Sequence, residues 1–370
     1  MNRAARLLVP LLICPLLLFA ETSSLAAERQ TVAWGECHNR EPAWYAGDEA
    51  IRIADNVLLY QRDSGGWPKN IDMARVLSEA EKDKLRSSGK RTDSTLDNGA
   101  THTQMRYLAK VYNATKIERF KEAFLKAVDY LLAAQYSNGG WPQFYPLRGG
   151  YPNHITFNDG AMIGAMSVLR DIAEGKPQFA FVGQPRRKKA GEAVRRGIEC
   201  ILKCQIVVDG KPAVWCAQHD EKTLEPRPAR SYEKASLSGN ESVGVVRFLM
   251  GIENPTPEIV EAIEGAAAWF HSAEVPGIRL VRRTDSDAPR GFDLEVVKDP
   301  NAPPMWARFY EIGTNRPIFC SRDGIVRYRL AEISPERRTG YSWYGYYPKD
   351  LLAKDYPTWQ KRWGPKPGRP

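Results

Sequence analysis

No Cys-x-x-Cys pair and no His-Glu-x-x-His stretch occurs in the 370 residues, which removes the common zinc frameworks. Only five histidines are present, at 38, 102, 154, 219 and 271. They are scattered singly, the pattern of hydrogen-bonded structural residues rather than of a ligand set. No apolar run reaches the roughly 20 residues of a membrane span. No helix-turn-helix, RNP-like or zinc-finger pattern occurs either, so nucleic acid is not an expected partner. Six cysteines are few for a disulfide scaffold, and Cys14 falls in an N-terminal apolar run. That leaves Cys37, Cys200, Cys204, Cys216 and Cys320, an odd number; Cys200 and Cys204, four apart on a helix, fit disulfide geometry poorly.

What is there describes an exported globular protein. Arg3 and Arg6 precede the apolar run Leu7 to Ala20, and the small residues Ser23-Ser24-Leu25-Ala26-Ala27 follow, the layout of a secretory signal peptide. Residues 1–27 are therefore expected to be removed and 28–370 to form one catalytic-size domain, periplasmic or secreted, monomeric, and without a membrane anchor in the mature form. At 43% hydrophobic and 10% aromatic residues the chain can bury a substantial core. The net charge is +9; loss of the leader removes two positive charges and one negative, leaving +8. A surplus of that size favours an acidic partner.

An internal repeat sets the architecture. Gly65-Gly66-Trp67-Pro68 recurs as Gly139-Gly140-Trp141-Pro142, each preceded by a glutamine, Gln61 and Gln135. The match runs backwards through Asp55 and Leu58 to Asp129 and Leu132, and a weaker third copy ends at Gln205 and leads to Trp215. A period of about 70 residues suits a helix pair with loops rather than a short solenoid unit. Apolar spacing predicts the pairs Asn98 to Tyr112 with Glu118 to Gln135, Asp159 to Ala173 with Lys189 to Gln205, and Glu241 to Gly251 with Pro257 to Ala273. Asn254-Pro255-Thr256-Pro257 supplies the stop and restart within the last pair. The expected fold is all-α, a toroid of about three helix hairpins with long loops and little β-structure, one helix of each pair inside and one outside. Trp67 and Trp141 read as wedges that lock the repeated turns onto it.

One helix of each pair begins at a related polar cluster: Asp97-Asn98-Gly99-Ala100, Asn158-Asp159-Gly160-Ala161 and Gly239-Asn240-Glu241-Ser242. A single such cluster is a helix cap. Three at equivalent places would gather at one mouth of the toroid and bring Asp97, Asn98 and Asp159 together, hard oxygen ligands that suit calcium. Waters or a substrate carboxylate would complete the shell. Basic side chains beside Gly and Pro turns follow in the C-terminal half, Arg227, Arg230, Arg308, Arg316, Arg322 and Arg327; guanidinium forks hold carboxylates bidentately, although pairing with Glu225 or Glu233 is the plainer use. Lys69 is a further candidate for substrate contact.

The chain resembles the polysaccharide lyase family 10 pectate lyases. The likeness rests on Gly65-Gly66-Trp67-Pro68-Lys69-Asn70, Leu96-Asp97-Asn98-Gly99-Ala100-Thr101, Asn138 to Gln143, Asn158-Asp159-Gly160, Pro226 to Glu233, Arg308-Phe309-Tyr310 and Arg322-Asp323-Gly324, in order over most of 45–350. The resemblance implies an (α/α) barrel that cleaves polygalacturonate (pectate) by calcium-assisted β-elimination. It implies Asp97, Asn98 and Asp159 as calcium ligands, Arg230 as the base that takes the C5 proton, and Arg308 and Arg322 as clamps on the uronate. Two departures are a missing carbohydrate-binding domain and His102 beside the calcium motif. An arginine base needs a depressed pKa, which calcium, Arg308 and Arg322 nearby would supply. The rivals are a uronan glycoside hydrolase using Asp97 and Asp159 as its carboxylates, and a non-catalytic polyuronate binder.

Overall fold

Gln61, Gln135 and Gln205 close three successive outer helices and make the same two bonds. Each Nε2 donates to a carbonyl of its own following turn, Gly65, Gly139 or Ala213, at 2.8–3.0 Å. Each also donates to a carbonyl of the next outer helix, Ala123, Ala193 or Ala262, at 2.8–2.9 Å. The computed structural model describes residues 32–365, so the expected leader at 1–27, with Cys14, lies outside the described residues. Within them ten α-helices follow: α1 (Asp48–Tyr60), α2 (Glu79–Arg86), α3 (His102–Thr115), α4 (Glu118–Ala134), α5 (Ala161–Ala173), α6 (Gln184–Cys204), α7 (Glu241–Met250), α8 (Pro257–Ser272), α9 (Pro335–Gly340) and α10 (Tyr356–Trp363).

The hairpins α3/α4, α5/α6 and α7/α8 stand side by side. α3, α5 and α7 adjoin on the inside, and α1, α4, α6 and α8 follow one another on the outside. Burial explains which helix goes where. In α6 the buried residues form one stripe, Ala190, Ala193, Val194, Gly197, Cys200, Ile201 and Cys204, and the rest is largely charged. In α5 burial extends to Ala161, Met162, Ala165, Met166, Val168, Leu169, Asp171 and Ile172, as an inner position requires. The architecture is all-α, the toroid of helix hairpins expected from the repeat and the (α/α) barrel that the resemblance implies.

The repeated turns are wedged as expected. Trp67, Trp141 and Trp215 are wholly buried, and their indole N–H groups donate at 2.7–2.8 Å to Val57, Leu131 and Ile201, carbonyls near the ends of α1, α4 and α6. Gly65 and Gly139 adopt φ of 101° and 94°, and a Cβ there would lie 2.5 Å from the Lys126 carbonyl oxygen and 2.1 Å from that of Arg196, so only glycine fits.

Two features differ from the sequence reading. α3 starts at His102 rather than Asn98, because Asp97–Gly99 forms a separate tight turn with Asn98 at φ 51°. An antiparallel hairpin, Ile278–Thr284 paired with Phe292–Lys298, stands where no strand was expected; its faces are both half-exposed, so the alternation that marks a strand is weak. Short pairings, Leu237–Ser238 with Phe309–Tyr310 and Trp306–Ala307 with Tyr344–Gly345, tie this C-terminal region to the mouth of the inner helices. A second core of Tyr232, Phe309, Phe319, Leu330 and Trp343 lies beneath the loops that carry the arginines. Cys37, Cys200, Cys204, Cys216 and Cys320 are all buried free thiols.

Candidate active site

Two turns of one design meet at the mouth. Asp97–Gly99 and Asn158–Gly160 pack against each other, and each holds its middle residue left-handed, Asn98 at φ 51° and Asp159 at φ 49°. The first turn is clamped from behind: Thr95 Oγ1 donates to the Gln143 carbonyl at 2.6 Å and accepts from Asp97 N at 3.1 Å, while Thr101 Oγ1 donates to the Thr95 carbonyl at 2.8 Å. The second is held by Phe157 N and Asn158 N, which both donate to the Ala217 carbonyl, at 2.9 and 3.0 Å. Among the described residues none of the N-cap side chains of α3, α5 and α7 bonds its helix start, and it is Ser238, outside the cluster, that accepts from Glu241 N at 3.1 Å, so the polar clusters are not helix caps, the ordinary reading of such residues.

Asp97 is buried, and its Oδ1 has no hydrogen-bond partner among the described residues. Its Oδ2 accepts a hydrogen bond from the Lys69 ammonium. Burial and the neighbouring charge of Asp97 raise the Asp159 pKa from its ordinary value, although Arg308 works the other way. A buried carboxylate oxygen without a donor, beside a second carboxylate whose ionisation is disfavoured, is a place that a further positive charge would suit. Asn98, exposed beside them, donates through Nδ2 to Asn70 Oδ1 at 2.9 Å, leaving its own Oδ1 available. The three oxygen-bearing residues thus lie on two touching turns, and the donor set is hard.

The arginines face this pair unequally. Arg308 is buried; its Nη2 donates to Asn158 Oδ1 at 3.1 Å and to Glu241, and stands 3.8 Å from Asp159 Oδ1. Burial works against its charge, but Glu241, Tyr341 and Asp159 outweigh that and hold it firmly cationic. Arg230 lies in the next loop, 44% exposed, with Nε and Nη2 both donating to the buried Glu233 at 2.7 and 2.5 Å. Tyr341 joins the two arginines: its ring centre is 4.5 Å from the Arg308 guanidinium carbon and 5.7 Å from that of Arg230. Arg322 is exposed, paired with Glu336 at 3.0 Å, and shares with Arg230 the ring of Tyr232, at 5.8 and 4.9 Å.

One expectation is corrected here. Hydrogen bonding to Glu233 raises the Arg230 pKa above the ordinary arginine value, where cations nearby were expected to depress it. Sequence reasoning also passed over Glu241, Asn158 and Tyr341 as site residues. The Arg-x-x-Glu spacing of Arg230 and Glu233 was the available sign for the pair; nothing in the sequence marks Tyr341, which reaches the site from more than a hundred residues away. Arg227 serves the loop instead, donating to Asp220 at 2.9 Å.

His219, His102 and His154 serve the packing and the loops. His219 is fully buried, donating through Nδ1 to the Leu224 carbonyl at 2.8 Å and accepting at Nε2 from Cys216 N at 3.1 Å; burial lowers its pKa to about 4. The ring of His102 packs against Gly164 of α5, where a Cβ would come within 2.3 Å, and burial lowers its pKa to about 4 as well. His154, Asp220 and Glu221 lie close together, but Asp220 already accepts from two backbone N–H groups and Arg227, so the group fastens a loop.

A family model described as Pectic acid lyase matches residues 61–352. Among solved structures, a family 10 polysaccharide lyase from Cellvibrio cellulosa superposes with a TM-score of 0.75 at 38% identity, over 88% of this chain and 94% of that one. An Asp-to-Ala mutant of the family 10 polysaccharide lyase from the same organism, in complex with trigalacturonic acid, gives a TM-score of 0.75 at 38% identity, over 88% and 95%. No curated protein matches the chain.

Proposed function

The chain belongs to the pectic acid lyase family and is a polysaccharide lyase; from that premise we propose that it cleaves polygalacturonate by calcium-assisted β-elimination, with Arg230 as the base. The observation that carries the metal assignment is the unpartnered, buried Oδ1 of Asp97 beside a second carboxylate whose pKa is raised. Asp97, Asn98 and Asp159 would hold the ion. Bound there, calcium would supply positive charge against the uronate carboxylate, stabilising the extra negative charge that develops when the neighbouring carbon loses its proton.

The remaining work falls to the chain's own side chains. Arg308 and Arg322 bind and orient uronate carboxylates as charged forks. Arg308 is pre-set for this by Asn158 and Glu241, which fix one end of its guanidinium. Arg230 in its neutral form takes the C5 proton; the C5–H electron pair becomes the C4–C5 double bond, the C4–O4 bond breaks, and the leaving oxygen takes a proton from water. A guanidine bound to Glu233 is neutral only in a very small fraction at neutral pH, so kcat/KM rises with pH through the alkaline range. The substrate polyanion accounts for the basic excess of the chain. Residues 1–27 read as a leader that exports the protein, which acts as a monomer. No helix among the described residues is long and apolar enough to cross a membrane.

The test is the purified chain with polygalacturonate, with and without a calcium chelator. Elimination yields an ultraviolet-absorbing unsaturated product that the chelator abolishes. New reducing ends without that absorbance would mean hydrolysis by the two carboxylates; saturable binding with no change in chain length would mean a binder.

A further inference from the structure

The carboxylate of Glu233 is enclosed by donors. It accepts from Arg230 Nε at 2.7 Å, Arg230 Nη2 at 2.5 Å, the Arg230 backbone N–H at 3.2 Å and the Tyr341 hydroxyl at 2.6 Å. Its own backbone closes the loop, Glu233 N donating to the Arg230 carbonyl and Ala229 N to the Glu233 carbonyl. The side chain is 5% exposed against 44% for Arg230. Every atom of the Arg230 fork on the Glu233 side is therefore engaged. Nη1, on the outer edge, has no partner among the described residues.

We propose that Glu233 is a positioning residue that aims the base: it holds the inner edge of the Arg230 guanidine, so the proton is given up and later received at Nη1 on the outer edge. The proposal rests on the reading of Arg230 as the base. A guanidinium carries five N–H hydrogens and loses one to become a base. Loss of the Nε hydrogen or the inner Nη2 hydrogen would break a charge-assisted bond to a buried anion and leave that anion short of a donor. Loss of the outer Nη2 hydrogen would turn Nη2 into an imine whose one remaining N–H is a poorer donor to Glu233, whereas loss from Nη1 leaves both donors to Glu233 unchanged. The lone pair that accepts the C5 proton then points away from Glu233, towards the open side of the loop.

The same contact sets the pH at which Arg230 works. The groups facing it are Glu233, the rings of Tyr232 and Tyr341, Arg322, and Arg308 across Tyr341. Glu233 is the anion among them, since Glu336 is paired with Arg322 and Arg337. Aim is thus obtained at the expense of basicity on demand: the anion that orients the guanidine also keeps it charged at rest.

The test compares pH profiles of kcat/KM on polygalacturonate at saturating calcium. Glu233→Gln removes the anion, so the rising limb moves to lower pH by about one unit or more, while the highest rate falls about 10- to 100-fold because the fork is no longer held. Glu233→Asp keeps the charge and shortens the reach, so the rate falls and the limb stays. Tyr341→Phe leaves the ring and takes one donor from Glu233, so the limb moves the other way, to higher pH; it decides the question if Glu233→Gln does not fold. The proposal is overturned if neither Glu233→Gln nor Tyr341→Phe moves the limb while the rate falls with thermal stability. Arg230→Ala separates the two readings. An active Arg230→Ala enzyme refutes the arginine base itself; an inactive one that still binds calcium, together with an unmoved limb, refutes only the role of Glu233.

Discussion

Replacing Lys69 by methionine should tighten calcium binding while weakening the metal-free fold. Lys69 donates to a carboxylate that is buried to 2% exposure, and the lysine itself is 32% exposed. An ammonium and a divalent ion about 5 Å apart repel by roughly 7 kcal/mol at an effective dielectric constant near 20. A side chain one-third exposed escapes most of that by swinging into water, so about 1–2 kcal/mol should remain. That corresponds to a roughly 5- to 30-fold gain in calcium affinity for Lys69→Met. Without calcium the same substitution leaves the Asp97 carboxylate with neither oxygen paired, at a cost of roughly 1–3 kcal/mol after allowing for exposure. Titration calorimetry with calcium alone measures the first effect, and melting with chelator or with calcium measures the second. Unchanged or weaker calcium affinity in a folded Lys69→Met protein would refute the placement of the ion against Asp97.

Asp159→Asn should raise the melting temperature in chelator at pH 7 and lower calcium affinity. The folded pKa of Asp159 lies above its unfolded value, so its ionisation opposes folding, and stability declines as pH rises from the unfolded pKa through the folded one; the amide removes that decline. Gln135→Ala removes two donors from the Gly139 and Ala193 carbonyls and should cost about 1–3 kcal/mol in urea unfolding, with the pH profile of activity unaltered. Glu241→Gln should raise KM more than it lowers kcat, because Arg308 loses its buried anion and its fixed orientation. Steady-state kinetics on polygalacturonate, with circular dichroism as a folding control, checks this.

The barrel was legible because its repeat is written in residues that each do one local thing. Gln61, Gln135 and Gln205 staple turn to helix, the tryptophans fill the same wedge, and the apolar stripes give the helix pairs to within a few residues. The start of α3 was misplaced by four residues because Asp97-Asn98 resembles a cap, and only the left-handed Asn98 and the absent cap bonds separate a turn from a helix end. The arginines could be picked out by type but not by setting. The partner of Arg230 is three residues away and readable, whereas Tyr341, which bridges Arg230 and Arg308, comes from the far side of a hairpin that the weak alternation hid. Long-range contacts made by loops on a second core leave no periodic trace.

Crystals of the Arg230→Lys protein grown with calcium and trigalacturonic acid would test the assembly at the mouth most directly. The expected result is one ion about 2.3–2.6 Å from oxygens of Asp97, Asn98 and Asp159, a uronate carboxylate completing its shell, and residue 230 facing C5. An ion bound instead at His154, Asp220 and Glu221, or a sugar whose C5 faces away from residue 230, would contradict it.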